Sequence, residues 1–311
     1  MTTIQLPKVA PPPTPVDNRF LEELYFHRYL TYEQMNDLLY RPGTFSTTKA
    51  RLNKLKRLGY VQVVREDTTR QGLPFIFTLN GRGMRYLKKF GFDTRRYFRP
   101  SEEVEKSDYF LRHTMAVNDV FVAAAKLARL DPRVTLDEKI HELTFASHPC
   151  VVTYLEISKN AVWEVTRKIK PDGWLDFWVD FGTEGGKKRF SLWLEVDRGT
   201  QTSEERFKKK IRTMVAFFTY KAVSDQPTQY EKRFASRNIT VAFATVAGGQ
   251  RAKTIHAWIG EELQSLGVKP WVFKLFHIMP LPAALDPTEL FFDPVWYVPF
   301  ARNPVPLFRP G

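Results

Sequence analysis

With 311 residues, 43% of them hydrophobic, the chain is long enough for two cores, and no apolar run approaches the roughly 20 residues a membrane span needs. Its one cysteine, Cys150, excludes an internal disulfide and a cysteine-rich zinc site, and reads as a small buried thiol in a reducing cytoplasm. The net charge of +13 is concentrated in residues 1–100, with 18 Lys+Arg against 8 Asp+Glu, a positive field that points to a polyanion with nucleic acid the default.

A Pro-rich leader over 1–16 (Pro11-Pro12-Pro13-Thr14-Pro15) lacks an apolar core, so no export signal is expected. The spacing of Phe20, Leu24 and Tyr25 predicts a helix over about 18–29. Thr31 and Gln34 form a capping box for a second helix, with Met35, Leu38 and Leu39 on its apolar face and Pro42-Gly43 as its end. Ser46 caps a third helix over 47–58, where Leu52, Leu55 and Leu58 supply a buried stripe. A strand over 60–65, a polar turn over 66–72 carrying Arg70, a strand over 74–79 and a basic helix over 84–90 follow.

That order is the order of a winged helix, whose third helix enters the major groove while the hairpin reaches flanking backbone. The segments Leu55-Lys56-Arg57-Leu58-Gly59-Tyr60-Val61 and Phe77-Thr78-Leu79-Asn80-Gly81-Arg82-Gly83 resemble those of many bacterial winged-helix regulators. Thr47, Thr48, Lys49, Arg51, Asn53, Lys54 and Arg57 on the third helix, with Arg70 in the hairpin, are the expected DNA contacts of a domain over 17–92. The competing reading is a winged helix used for protein contacts.

A charged connector over 93–106 contains Pro100 and marks the boundary to a second domain over 107–280. It opens with a largely apolar helix over 107–130, in which structural hydrogen bonds are the expected role of His113 and Asn118. Strands over 139–145, 151–157, 162–168, 174–181 and 189–196 come next, the last two joined by a turn at Glu184-Gly185-Gly186-Lys187. A helix over 203–223, a strand over 238–246, a helix over 252–266 and a strand over 271–277 complete the pattern. The fold class is α/β, α+β overall, with a mixed sheet flanked by helices. The aromatic tail over 281–311 is expected to fold back over this core, with partner binding or base stacking as its second reading.

Two strands carry the chemistry. Lys170-Pro171-Asp172-Gly173 opens one and Leu194-Glu195-Val196-Asp197 closes the next, and both are strongly apolar. A carboxylate in such a strand costs free energy unless it is paired, hydrogen-bonded or bound to a cation. Convergence of Asp172, Glu195 and Asp197 predicts a hard-metal site for Mg²⁺ or Mn²⁺ and phosphodiester chemistry. In the other reading Asp172 and Asp197 cap strand ends or pair with Lys170 and Arg198.

The order of elements and the Glu-x-acid triplet are similar to the PD-(D/E)xK nuclease superfamily. The resemblance implies two acids on a divalent cation and a lysine at the nucleophile. Asp172 matches the first acid and Glu195 the second, while Asp197 stands in the lysine position. A base from the following helix is the expected substitute, with Lys208 or Lys209 the candidates; Arg198, Lys209 and Arg212 are the expected phosphate contacts.

One resemblance covers most of the chain. The winged helix, Leu111-Arg112-His113-Thr114-Met115-Ala116-Val117-Asn118-Asp119-Val120, Lys170-Pro171-Asp172 and Leu194-Glu195-Val196-Asp197-Arg198-Gly199-Thr200 together resemble the replication-relaxation family of bacterial plasmids and integrative elements. This implies a role in replication or in nicking supercoiled DNA, and makes Asp197 normal for the group. A relaxase with a tyrosine nucleophile and a His-x-His cluster is disfavoured, because no such pair occurs; Tyr154 and Tyr220 offer hydroxyls without that context. Gly185-Gly186 and Gly248-Gly249 lack the setting of a phosphate loop, which disfavours an ATP-driven motor. The sequence reads as a cytoplasmic protein that binds double-stranded DNA, and its acid site has two readings, nicking with Mg²⁺ or Mn²⁺ and metal binding without cleavage. The alternative is a non-enzymatic replication initiator or transcriptional regulator. Homodimerisation and contacts with other replication or transfer proteins stay open.

Overall fold

The computed structural model describes residues 12–40, 43–65, 74–94, 99–157, 161–200, 202–221 and 226–310. The leader through Pro11, the Pro42 break, and the 66–72 turn with Arg70 lie outside the described residues. Contacts divide the chain into two compact units, Met1–Asn118 and Asp119–Gly311.

The first unit begins with α1 (Pro15–His27). Thr14 and Asp17 close a capping box and Pro15 takes the first helical position, so the helix starts three residues before its apolar spacing indicates. The Thr31–Gln34 capping box opens α2 (Tyr32–Leu39). Next are α3 (Phe45–Arg57), the antiparallel pair β1 (Val61–Arg65) and β2 (Ile76–Leu79), α4 (Gly81–Lys89) capped by Asn80, and α5 (Pro100–Glu103). Phe20, Leu24, Leu52, Leu55, Ile76 and Phe77 are fully buried among them. The division between units falls inside α6 (Asp108–Leu130). Its first half belongs to the first unit: Leu111 and Met115 pack with Tyr29, Val64 and Ile76, and Asn118 donates to the Tyr29 carbonyl at 2.6 Å and the His27 carbonyl at 3.1 Å.

Helix α3 does not present every side chain expected to reach DNA. Thr48 is fully buried and donates to Asn36 at 2.9 Å, because it lies on the Leu52–Leu55 stripe. Arg51 and Lys54 turn back to Asp17 at 2.8 Å each, and Asn53 accepts from Tyr32 at 3.0 Å. Thr47, Lys49, Asn53 and Arg57 are exposed.

The Asp17 cluster has a pH consequence. Burial alone raises the Asp17 carboxyl, but Lys54, the Thr14 N–H and Arg51 outweigh it and lower it from 3.8 to about 2. A depressed carboxylate stabilises the fold above its unfolded value, and that contribution is lost as pH falls from about 4 to about 2. Its size is at most about 2 kcal/mol, since Arg51 and Lys54 are partly exposed to solvent. Denaturation midpoints of the wild type should therefore fall across that window, and those of Asp17→Asn should fall less steeply.

The second unit is built on a five-stranded mixed sheet in the order β3 (Val134–His141), β6 (Gly173–Asp180), β7 (Lys187–Asp197), β8 (Thr240–Thr245), β9 (Phe276–Pro280). The first three run antiparallel, with Trp174 opposite Trp193, and β8 and β9 run parallel to β7. Helix α7 (Glu142–Ser147) follows β3, where the residues read as more strand. A separate ribbon, β4 (Cys150–Ile157) with β5 (Val162–Ile169), precedes β6. The 184–187 turn is the end of a single helical turn, α8 (Gly182–Gly185), with Gly186 at φ 64°. Cys150 is buried, and burial pushes its thiol up to about 11.

Alternation along β6 and β7 gives each sheet face its own cover. Trp174, Trp193, Val241 and Phe243 pack under α9 (Glu204–Thr219), α10 (Gln229–Phe234) and α11 (Gly248–Ser265). On the other face, Phe177 meets Phe291 of α13 (Pro287–Phe292) and Phe308 at 5.4 and 5.0 Å, so the aromatic tail folds back over the sheet. Between α11 and β9 the residues Trp271-Val272-Phe273, which read as strand, form α12 (Pro270–Phe273), because Pro270 takes the first helical position. Among the described residues no helix is long and apolar enough to cross a membrane.

Candidate active site

The β6–β7 ladder extends one residue past Gly173. The Asp172 N–H donates to the Leu194 carbonyl at 3.1 Å, and the Asp172 carboxylate accepts the Val196 N–H at 2.7 Å. Asp172 is thereby fixed beside the end of β7. Gly173 permits this placement, since a Cβ there would stand 2.4 Å from the Phe121 ring.

Glu195 lies on the helix-covered face of β7 and is 2% exposed. One carboxylate oxygen accepts the Trp193 indole N–H at 2.8 Å, and the other accepts from the Lys210 ammonium of α9. Burial pushes the Glu195 carboxyl up, to about 7; the Asp172 charge adds to this, while Lys210 and Trp193 oppose it. Burial pulls the Lys210 ammonium down, but Glu195 and Asp172, with Asp197 behind them, hold it above the ordinary lysine value. Glu142, the first residue of α7, brings a carboxylate oxygen within 4.8 Å of one on Asp172. The sequence reading missed Glu142 because it took 139–145 as strand.

Asp197 has a different setting. Arg251 of α11 clamps it with two hydrogen bonds of 2.9 Å, Thr245 donates at 3.1 Å, and the Gly199 N–H donates at 2.8 Å. Burial raises its carboxyl, but Arg251, the Gly199 N–H and Thr245 outweigh it and hold the carboxyl below the usual range. Gly199, at φ 74°, makes the turn that aims its N–H back at Asp197. The expected trio of Asp172, Glu195 and Asp197 therefore does not close into one cluster with all ligand atoms within 4.8 Å of one another.

The basic block of α9 sorts by helical phase. Lys210 sits three residues after Phe207 and four before Met214, on the edge of the buried stripe, and so reaches Glu195. Lys208, expected to replace the missing lysine, faces away and pairs with Glu204 at 2.6 Å and Glu261 at 2.7 Å. Arg212 is held by Glu262 at 2.6 Å and Glu205 at 3.2 Å, so two carboxylates already neutralise this expected phosphate contact. Lys209 is exposed, and Arg198 is half-buried at the end of β7. Tyr154, considered as a nucleophile, is buried with its hydroxyl on Glu156, and burial pushes that hydroxyl above the ordinary tyrosine value, which disfavours the phenolate.

The chain was compared with protein families, curated proteins and solved structures. The family model described as replication-relaxation matches residues 21–229. No curated protein matches the chain. Among solved structures, the restriction endonuclease FokI is similar at 11% identity over 81% of this chain and 44% of its own, with a TM-score of 0.21. The chain thus spans less than half the length of that endonuclease, and the two folds superpose poorly.

Proposed function

The chain belongs to the replication-relaxation family, and from that premise we propose that it is a DNA-binding protein of a plasmid or other mobile element that nicks duplex DNA by metal-assisted hydrolysis. The observation that carries this reading is the Lys210 ammonium on Glu195, next to Asp172. A helix thereby supplies the positive charge that the Glu-Val-Asp triplet lacks.

Glu142 and Asp172 bring carboxylate oxygens within 4.8 Å of each other, donors of the kind that suits Mg²⁺ or Mn²⁺, and the Glu195 carboxylate feels the charge of Asp172. A Glu195 carboxyl pushed up by burial, with the Asp172 charge adding to it, is the electrostatic condition that a divalent cation relieves. Bound there, such a cation supplies Lewis acidity toward a phosphoryl oxygen and eases deprotonation of water. Lys210 orients Glu195, opposes the upward push of burial on its carboxyl, and adds positive charge where negative charge develops. Asp197 acts as a positioning residue, since its Arg251 clamp fixes the end of β7 and the turn that follows.

The first unit is read as a winged helix that holds the duplex, with Thr47, Lys49, Lys56 and Arg57 exposed along α3. Lys49→Ala with Arg57→Ala should weaken DNA binding about tenfold and reduce the slope of log affinity against log salt by about 2. Arg51→Ala should act mainly on stability, through Asp17. Fluorescence anisotropy over a salt series, with thermal unfolding alongside, separates the two.

The test of the whole reading is incubation of supercoiled plasmid carrying the cognate origin with Mg²⁺ or Mn²⁺. Open circles that form with metal and stop with EDTA support it. The second reading, a non-enzymatic initiator or regulator, is favoured by the hydrogen bonds that already satisfy Glu195 and Asp197 within the protein. Under that reading the protein binds the origin in a salt-dependent way and yields no open circles with either metal.

A further inference from the structure

The acid site lies at the carboxyl ends of the parallel strands. At their opposite ends is a cavity of about 720 Å³, within the size range of small-molecule sites. Its walls come from the starts of β7, β8 and β9, the end of α9, α12 and the carboxy-terminal tail. Lys188 on its rim and Glu195 are seven residues apart on β7, which at about 3.3 Å per residue puts the two sites roughly 20 Å apart.

The charge of this cavity is one-sided. Among the described residues, Lys188, Arg189, Lys221, Arg237, Lys274 and Arg309 line it, against a single acid, Glu231. Arg189 is paired with Asp176 and Arg237 with Glu231. Among the described residues no carboxylate pairs with Lys188, Lys221, Lys274 or Arg309. Four like charges gathered on one concave surface repel each other, and an anion relieves that cost. Trp271 stands at the same cavity with half its surface exposed, an unusual place for an indole without a partner. Buried His277 on the wall stays neutral, as burial and the Arg309 charge hold it well below the ordinary histidine value.

We infer that this cavity binds a nucleotide unit, with phosphate among Lys188, Lys221, Lys274 and Arg309 and the base on Trp271. The ligand chemistry is a phosphate joined to a planar base, from either a free nucleotide or a single strand. The site is separate from the nicking centre and does not depend on it.

The test uses the full chain without divalent metal, titrated with dATP, with a short single-stranded oligodeoxyadenylate and with inorganic triphosphate, followed by calorimetry and tryptophan quenching. Saturable binding of dATP or of the oligonucleotide is expected, and the tighter of the two identifies the source. Lys221→Ala with Lys274→Ala should weaken it at least about tenfold, and Trp271→Ala about tenfold for base-bearing ligands but not for triphosphate. Asp172→Ala should leave it unchanged. The inference is overturned by no saturable binding of either nucleotide ligand, by affinities that these surface variants leave intact, or by triphosphate binding as tightly as dATP.

Discussion

Lys210→Ala is expected to reduce metal-dependent nicking at least about 100-fold, on the scale of losing one charge-stabilising group from an enclosed site. Glu195→Ala and Asp172→Ala should do the same, whereas Lys208→Ala should stay within about threefold of the wild type. The contrast follows from geometry. Lys210 donates to a carboxylate that is 2% exposed, while Lys208 is engaged by Glu204 of its own helix and Glu261 of α11. Removing Lys210 leaves Glu195 buried beside Asp172 without its counter-charge, so the carboxyl moves further up and holds a proton more readily. Open-circle formation from supercoiled plasmid is the readout. Equal loss in Lys208→Ala and Lys210→Ala would count against the assignment of the ammonium role, and full activity in Lys210→Ala would remove it.

The site was partly legible in the sequence because acids stand out in apolar strands. Asp172 and Glu195 lie on neighbouring strands, and the ladder continuing from Gly173↔Leu194 brings them together. Asp197 reads as part of the same cluster because it is a third acid in these apolar strands and closes the Glu-x-acid triplet. What takes it out is Arg251, 54 residues further on, and no local pattern announces such a partner. Lys210 was available from helical phase alone, as it shares the stripe of Phe207 and Met214. A block of five bases over 206–212 hid that phase when it was read only as charge. Thr48 is the same lesson in α3: the stripe that includes Leu52 and Leu55 runs back through it. Glu142 was out of reach, because the switch from β3 to α7 at His141 has neither a proline nor a side-chain cap to mark it.

Gly173→Val should destabilise the second unit by about 3 kcal/mol, the upper end of the usual cost of overpacking a core, and lower the melting temperature by roughly 6–12 °C. The glycine in Pro-Asp-Gly has no positive φ to explain it, so its need is for space rather than for backbone freedom. A Cβ at this position would stand 2.4 and 2.6 Å from two carbons of the Phe121 ring, which is itself fully buried. Neither partner can withdraw cheaply: Gly173 is held opposite His141 and Leu194 in the sheet, and Phe121 is packed within α6. A shift of this residue also moves its neighbour Asp172, whose N–H and carboxylate are both registered on β7. Loss of stability and loss of nicking should therefore appear together in Gly173→Val. Phe121→Leu added to Gly173→Ala should recover much of the stability by opening room where the Cβ falls. Were the double variant no more stable than Gly173→Ala alone, close approach to Phe121 would not be what Gly173 provides, and its conformation in the strand would have to carry the role.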